Sequence, residues 1–181
     1  LSPFDKNISC LNSHFKSLVK GLRDQAIIGI HPSYISNNDI KILKKEISDL
    51  ADTVHVDIIR SRQHFLKLNL PSTYRNLINL GIKHDYSMGY ASQVGFRAGI
   101  ASSFNFYDLD LDTETKLRIH PFAVMDGTLK DYLNINPKEA KKVISQLIDE
   151  VKKVNGEMIS LWHNESLSNE ERWKGWLEVY E

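Results

Sequence analysis

A chain of 181 residues that is 41% hydrophobic can bury a real core, as one compact domain or most of a larger one. Its 23 basic and 23 acidic residues cancel, and no basic stripe is visible, which argues against nucleic acid as a partner. No apolar run is long enough to span a bilayer, and the lone Cys10 excludes an internal disulfide and a zinc–cysteine site.

The chain opens Leu1-Ser2-Pro3, without Met and without a signal-peptide pattern, so a segment is expected to have been removed upstream; the compartment stays open. Phe15, Leu18, Val19 and Leu22 have helical spacing. Ala26 to Ile30 is a short apolar run of buried-strand type that stops at His31-Pro32. Ile40, Leu43, Ile47 and Leu50 mark a second helix, and Val54, Val56, Ile58 and Ile59 a strand ending near Arg62. Pro71 suits the first turn of a helix carrying Tyr74, Leu77 and Ile78, after which Leu80-Gly81-Ile82 leads into Asp85. Val94 to Tyr107, rich in Gly, Ser and aromatics, reads as a long loop with extended pieces, and Ile119 to Met125 as a strand. Asn136-Pro137-Lys138-Glu139 predicts a capped helix with Ala140, Val143, Ile144, Leu147, Ile148, Val151 and Val154 on one face and Gly156 ending it. Met158 to Trp162 is the last strand. Ser168-Asn169-Glu170-Glu171 reads as a capping box for a short terminal helix with Trp173, Trp176 and Leu177.

Strands and helices in alternation, with crossovers of this length, predict an α/β fold with parallel strands in a single domain over 1–181. In such folds functional groups gather where strands meet the following loops. Here the exits carry His31 with Tyr34, then Arg62, His64 and Phe65, then Asp85, Asp126 and His163. Each has a plainer reading. His31 before Pro could cap a strand, Arg62 and Asp85 could be a structural ion pair, and Asp126-Gly127 could be a turn. Trp162, Trp173 and Trp176 suit packing, and His14, His55 and His84 the surface. The joint pattern favours a site, because independent strand ends have no structural reason to share titratable residues.

Six strings come in order: Gly-Ile-His-Pro-Ser-Tyr (Gly29 to Tyr34), Ser-Arg-Gln-His-Phe-Leu (Ser61 to Leu66), Asp-Tyr-Ser-Met-Gly-Tyr (Asp85 to Tyr90), Gly-Phe-Arg-Ala-Gly (Gly95 to Gly99), Pro-Phe-Ala-Val-Met-Asp (Pro121 to Asp126) and Leu-Trp-His-Asn (Leu161 to Asn164). Together they resemble a bacterial branch of the polysaccharide deacetylases, the NodB-homology domain of carbohydrate esterases. The resemblance implies a distorted, TIM-like (β/α) barrel around a divalent metal, zinc or similar, and a glycan substrate. It implies that His31 is a metal ligand, Arg62 and Asp85 tune the catalytic base, and His163 is the general acid, with Tyr34, Phe65, Arg97, Asp126 and Trp162 lining the substrate. Ile35 stands where the family's second metal histidine falls, and His64, in place of a Pro, could supply a ligand from a neighbouring strand. No Thr-Phe-Asp-Asp string is present, so the first strands and their aspartates are expected upstream of Leu1.

The implied reaction is hydrolysis of an N-acetyl group: a metal polarises the acetyl oxygen and acidifies water, a carboxylate takes the water proton, and His163 protonates the departing amine. Asp126 is the candidate partner holding His163 protonated; alternatively His163 only ties the strand end to a carbonyl. Arg97 could bind an anionic part of the substrate, or pair with an acid to pin its loop. The rival readings are an inactive barrel that binds glycan or a partner, and a different metal-dependent hydrolase on the same scaffold. His31, Arg62, Asp85 and His163 are expected on one cleft. Five core strands cannot close a barrel of roughly seven or eight, so an upstream segment, a partner chain or a second copy is expected to complete it.

Overall fold

The computed structural model describes residues 3–5, 8–168 and 170–181. The opening Leu1-Ser2 and Asn169 of the expected terminal capping box lie outside the described residues. The fold is mixed α/β with a mostly parallel sheet and no closed barrel. The chain divides into two compact units: Leu1–Ser87 with Asn105–Ile119, and Met88–Phe104 with His120–Glu181.

In the first unit, α1 (Ser13–Arg23) is capped by the Asn12 side chain on the Phe15 amide. Helix α2 (Ile40–Val54) is capped by Asp39, which accepts from the amides of Lys41 and Ile42. It stops at His55, whose left-handed backbone (φ 56°) closes the last turn onto Ala51. Val54 is therefore the last residue of α2, 1% exposed, and not the start of a strand. The strand expected there is only β1 (Arg60–Ser61), followed by α3 (Ser72–Asn79), β2 (His84–Asp85), β3 (Phe104–Asp108) and β4 (Thr113–Ile119).

The sheet order is β1-β2-β4-β3. Strand β1 pairs parallel with β2 (Arg60 with His84, Ser61 with Asp85), and β2 parallel with β4 (His84 with Arg118, Asp85 with Ile119). The expected strand over Ala26 to Ile30 contributes one parallel bridge, Ile30 to Ser61. Strands β3 and β4 are hydrogen-bonded neighbours joined by residues 109–112, a connection only an antiparallel hairpin can make. This hairpin begins inside the stretch expected to be a loop. Its signal is alternation: Phe104, Phe106 and Asp108 face inward, Asn105 and Tyr107 outward. Phe106 meets the buried Tyr74 of α3 edge-on, with centroids 5.0 Å apart. At the turn, Arg75 of α3 forks onto Asp108 (both contacts 2.6 Å) and reaches Asp110 at 2.9 Å.

In the second unit, β5 (Val124–Met125) and β6 (Ser160–Leu161) pair parallel, Val124 with Ser160 and Met125 with Leu161. The single strand expected over Ile119 to Met125 is thus two: Ile119 ends β4, and β5 begins after Pro121, which has no amide to donate. The crossover helix α4 (Pro137–Lys153) carries the expected capping box, with Asn136 and Glu139 exchanging side-chain-to-amide bonds of 3.0 Å. Its end differs from expectation. Asn155, at φ 51°, takes the left-handed position, and Gly156 is needed for room: a Cβ there would lie 2.7 Å from the Ala101 Cβ. Ala140 of α4 packs with Val124, Leu129, Trp173, Trp176 and Val179 into one buried cluster. The terminal segment is a 3₁₀ turn (Glu171–Trp173) without a side-chain cap, then α5 (Leu177–Tyr180). Ser168 Oγ accepts from the Glu170 amide, so the reciprocal box does not form.

Gly89 shows the tightness of this packing. A Cβ there would come within 2.2 Å of the ring of Phe122, which is 0% exposed and cannot swing away. Gly89→Ala is expected to lower stability by about 2–3 kcal/mol, read by urea denaturation. Gly21, in α1 with nothing within 4 Å of its missing Cβ, is the control. Gly21→Ala is expected to stabilise by about 0.5–1 kcal/mol.

Candidate functional site

In the first unit the chain leaves Ile30 and β1 on neighbouring lines, which brings His31 and His64 together with ring centroids 4.9 Å apart. His31 Nδ1 lies 2.7 Å from the Arg62 carbonyl oxygen, which can only accept, so Nδ1 carries the hydrogen and Nε2 is the basic nitrogen of the neutral ring. His64 Nδ1 lies 3.0 Å from Oδ1 of the buried Asp5, which also accepts from the Tyr34 amide at 2.8 Å. Both imidazoles are thereby oriented by the acceptor at Nδ1, as metal-binding histidines are. Around them Phe4, Tyr34 and Phe65 form an aromatic group, with Phe4 52% and Phe65 60% exposed. Lys67 Nζ stands 4.4 Å above the Tyr34 ring. Phe65 and Leu66 both hold positive φ (54° and 52°), a strained turn that lifts the Phe65 ring outward.

Arg62 and Asp85 lie nearby but are not bonded to each other. Arg62 Nε donates to the Tyr86 carbonyl at 3.2 Å. Burial lowers the pKa of this guanidinium, against the opposing pull of Asp85 and Tyr86. Asp85 is 0% exposed and takes bonds from Ser61 Oγ (2.7 Å), Ser87 Oγ (2.8 Å) and the Ser87 amide (2.9 Å). Burial raises its pKa, and these donors and Arg62 only partly offset that. A carboxyl raised in the folded state binds its proton more tightly there than in the unfolded chain. Stability therefore falls as pH climbs from the unfolded value of about 3.9 through the raised folded value. Relative to the parent, Asp85→Asn is expected to gain stability as pH climbs above about 4, measured by urea denaturation over a series of pH values. A constant difference would remove Asp85 as the source.

In the second unit, β5 and β6 end side by side and deliver Asp126 and His163 to each other. Asp126 Oδ1 meets His163 Nδ1 at 2.7 Å, and Oδ2 accepts from the His163 amide at 2.7 Å. The Gly127 amide and the Ser166 hydroxyl complete the shell, and Ser166 Oγ also lies 2.7 Å from the His163 carbonyl. The Asp126 side chain is fully buried; that of His163 is 49% exposed. Burial pushes the Asp126 carboxyl up, but the bonds from His163 and Ser166 overturn this and hold it below the ordinary carboxylate range. The ionised carboxylate fixes the hydrogen at Nδ1, so Nε2 is where the imidazole gains and loses its proton.

Trp162 packs against the core of its unit, meets Tyr180 edge-on and donates Nε1 to Ser160 Oγ at 3.1 Å. Arg97 is exposed between two glycines of positive φ, Gly95 and Gly99, and among the described residues it pairs with no acid. His84, expected at the surface, is a partly buried member of β2. Asp5, Ser61, Ser87 and Ser166, none of them visible as candidates in the sequence, each hold one of the titratable groups in place.

Comparison with protein-family models, with curated proteins and with solved structures yields no match. Among the described residues no group of three or more His, Cys, Asp or Glu could hold a metal ion. His31 and His64 supply two imidazoles of the right tautomer, which is half a tetrahedral set. The described residues thus do not make a complete centre.

Proposed function

We propose that this chain is the C-terminal part of a distorted (β/α) barrel of the polysaccharide-deacetylase type, and that the complete protein removes N-acetyl groups from a glycan. The observation that carries this reading is the buried Asp126 carboxylate holding a half-exposed His163 by Nδ1. Amide hydrolysis adds water to the acetyl carbon and breaks the C–N bond, and the departing nitrogen must receive a proton. In this reading His163 gives it from Nε2, and Asp126 stabilises the imidazolium that precedes the transfer. In this reading His31 and His64 would ligate a divalent metal, zinc or similar, whose remaining ligands come from a further strand. Among the described residues, nothing pairs with Ile30 on the side away from β1, which leaves an edge for such a strand.

A second reading is an inactive relative that binds a glycan or a partner. The outward-turned Phe65 beside Phe4 and Tyr34 favours it, since exposed rings in a group are a stacking surface for sugar faces. One experiment separates the two. The full-length protein is incubated with an N-acetylated oligosaccharide, with and without Zn²⁺, and acetate and free amine are measured. Equimolar release of both supports the hydrolase. Binding of the oligosaccharide without release, at every metal condition, overturns it in favour of the binding protein. No helix of the described residues is long and apolar enough to cross a membrane.

A further inference from the structure

Two consecutive residues of the turn after β1 hold left-handed backbone, Phe65 at φ 54° and Leu66 at φ 52°. For bulky side chains this conformation is unfavourable, and it persists only where the surroundings hold it. Here they do. Gln63 is 1% exposed with its amide on Ser87 Oγ at 2.8 Å, and the Lys67 carbonyl accepts from Asn37 Nδ2 at 2.8 Å. Between these anchors Leu66 turns into the core at 8% exposure, and Phe65 turns out at 60%. The Phe65 ring meets Phe4, itself 52% exposed, and Tyr34 at centroid distances of 5.7 and 5.5 Å. The His64 ring lies 4.7 Å from it. A held apolar platform therefore adjoins the imidazole pair, and binding to it costs little ordering of the protein.

Lys67 gives the platform a charge. Its Nζ stands 4.4 Å from the centre of the Tyr34 ring. Among the described residues no carboxylate pairs with it, and Nζ donates to no oxygen. The carboxylates of this region are engaged elsewhere: Asp5 holds the Tyr34 amide and the His64 ring, and Glu46 holds the Ser33 amide. The contact with the Tyr34 face satisfies the ammonium's charge in part, but leaves its N–H donors without an acceptor. Tyr34 adjoins both Lys67 and Phe65, so a sugar stacked on Phe65, or the next unit of its chain, meets the ammonium as well. A carboxylate on that sugar supplies both the acceptor and the opposite charge.

We propose that this platform is a subsite for an acidic sugar: Phe65 and Phe4 take the face of a uronic acid unit, and Lys67 takes its carboxylate. The proposal rests on the reading of this chain as a protein that acts on or binds a glycan, and is common to both forms of that reading. The substrate class is then a glycan in which uronic acid units stand next to N-acetylated ones, because the platform adjoins His64 and His31.

The test is calorimetric titration of the full chain with two hexasaccharides. One is from hyaluronan, where glucuronic acid alternates with N-acetylglucosamine; the other is from chitin, where every unit is N-acetylglucosamine. Acetate release is followed in the same samples. The parent is expected to prefer the acidic chain by about fivefold or more at low salt, and less as salt is raised. Lys67→Gln should abolish the preference and leave chitin binding unchanged, and Lys67→Arg should keep it. Phe65→Ala should weaken both ligands by about tenfold or more, the loss for a ring that is buried on binding, and Phe65→Tyr should restore them. Lys142→Gln, on α4, should change nothing. A preference abolished by Lys67→Gln supports the subsite whether or not acetate appears. Equal binding of the two chains, a preference that Lys67→Gln retains, or no binding of the acidic chain overturns it. Acetate released from the chitin hexasaccharide in those cases would leave the deacetylase reading standing without this subsite.

Discussion

His163→Ala is expected to lower hydrolysis of an N-acetylated oligosaccharide by about two to four orders of magnitude, the usual range for loss of a positioned general acid. The effect should fall on kcat more than on KM, because the proton is needed when the C–N bond breaks and not when the sugar binds. Asp126→Asn should approach the same loss by a different route. An amide can offer its NH₂ to Nδ1 as readily as its oxygen, so the carboxylate's hold on the tautomer is gone. The His163→Ala protein should remain folded, since its side chain is half in solvent. Near-parental acetate release by a folded His163→Ala protein would remove this residue from the mechanism.

Asp126→Ala is expected to cost the fold about 3 kcal/mol or more at neutral pH. The carboxylate is buried and receives the His163 and Gly127 amides, the His163 ring and the Ser166 hydroxyl, and its removal strands donors where water does not replace it. The cost should depend on pH. The folded pKa of Asp126 lies below its unfolded value, so in the interval between them the unfolded chain binds more protons and stability rises with pH. The contribution is full above about pH 4 and lost as pH falls through the depressed folded value. Urea denaturation of parent and variant at pH 7 and pH 3 should therefore show a smaller difference at the acid end. An equal difference at both would mean that the carboxylate's charge contributes nothing there.

Local signals were the legible part of this molecule. The cap of α4 is written in four adjacent residues, Asn136 to Glu139, and forms as read, because the groups that bond are already neighbours. The parallel strands were harder. Each ladder holds only two residues, and pairing of β1 with β2 and of β2 with β4 depends on partners 24 to 34 positions away. Val54 illustrates the competition: its β-branched neighbourhood reads as strand, but α2 runs on until His55 turns left-handed. The pairing of Asp126 with His163 was accessible, since both sit at strand exits. Asp5 was not, because 59 positions separate it from His64 and nothing in its neighbours marks it as a second partner. That Arg60, His84 and Arg118 are partners across β1, β2 and β4 follows only from register, and register is invisible until strand order is known.

The two units are not consecutive in the chain. The first takes residues up to Ser87 and then 105–119, with 88–104 belonging to the second. No single cut releases either as one continuous polypeptide, so truncation at Ser87 would leave β2 with an open edge where β4 belongs. The same ordering governs synthesis. A ribosome that has released β1 and β2 must still add the 17 residues, 88–104, that separate Ser87 from the second run before it completes β3 and begins β4. Until Ile119 emerges the nascent first unit carries unpaired backbone on β2, the state in which a chain most needs shielding from its neighbours. Expression that slows elongation across 88–119 should accordingly favour aggregation over recovery, and a chaperone that holds extended segments should reverse it.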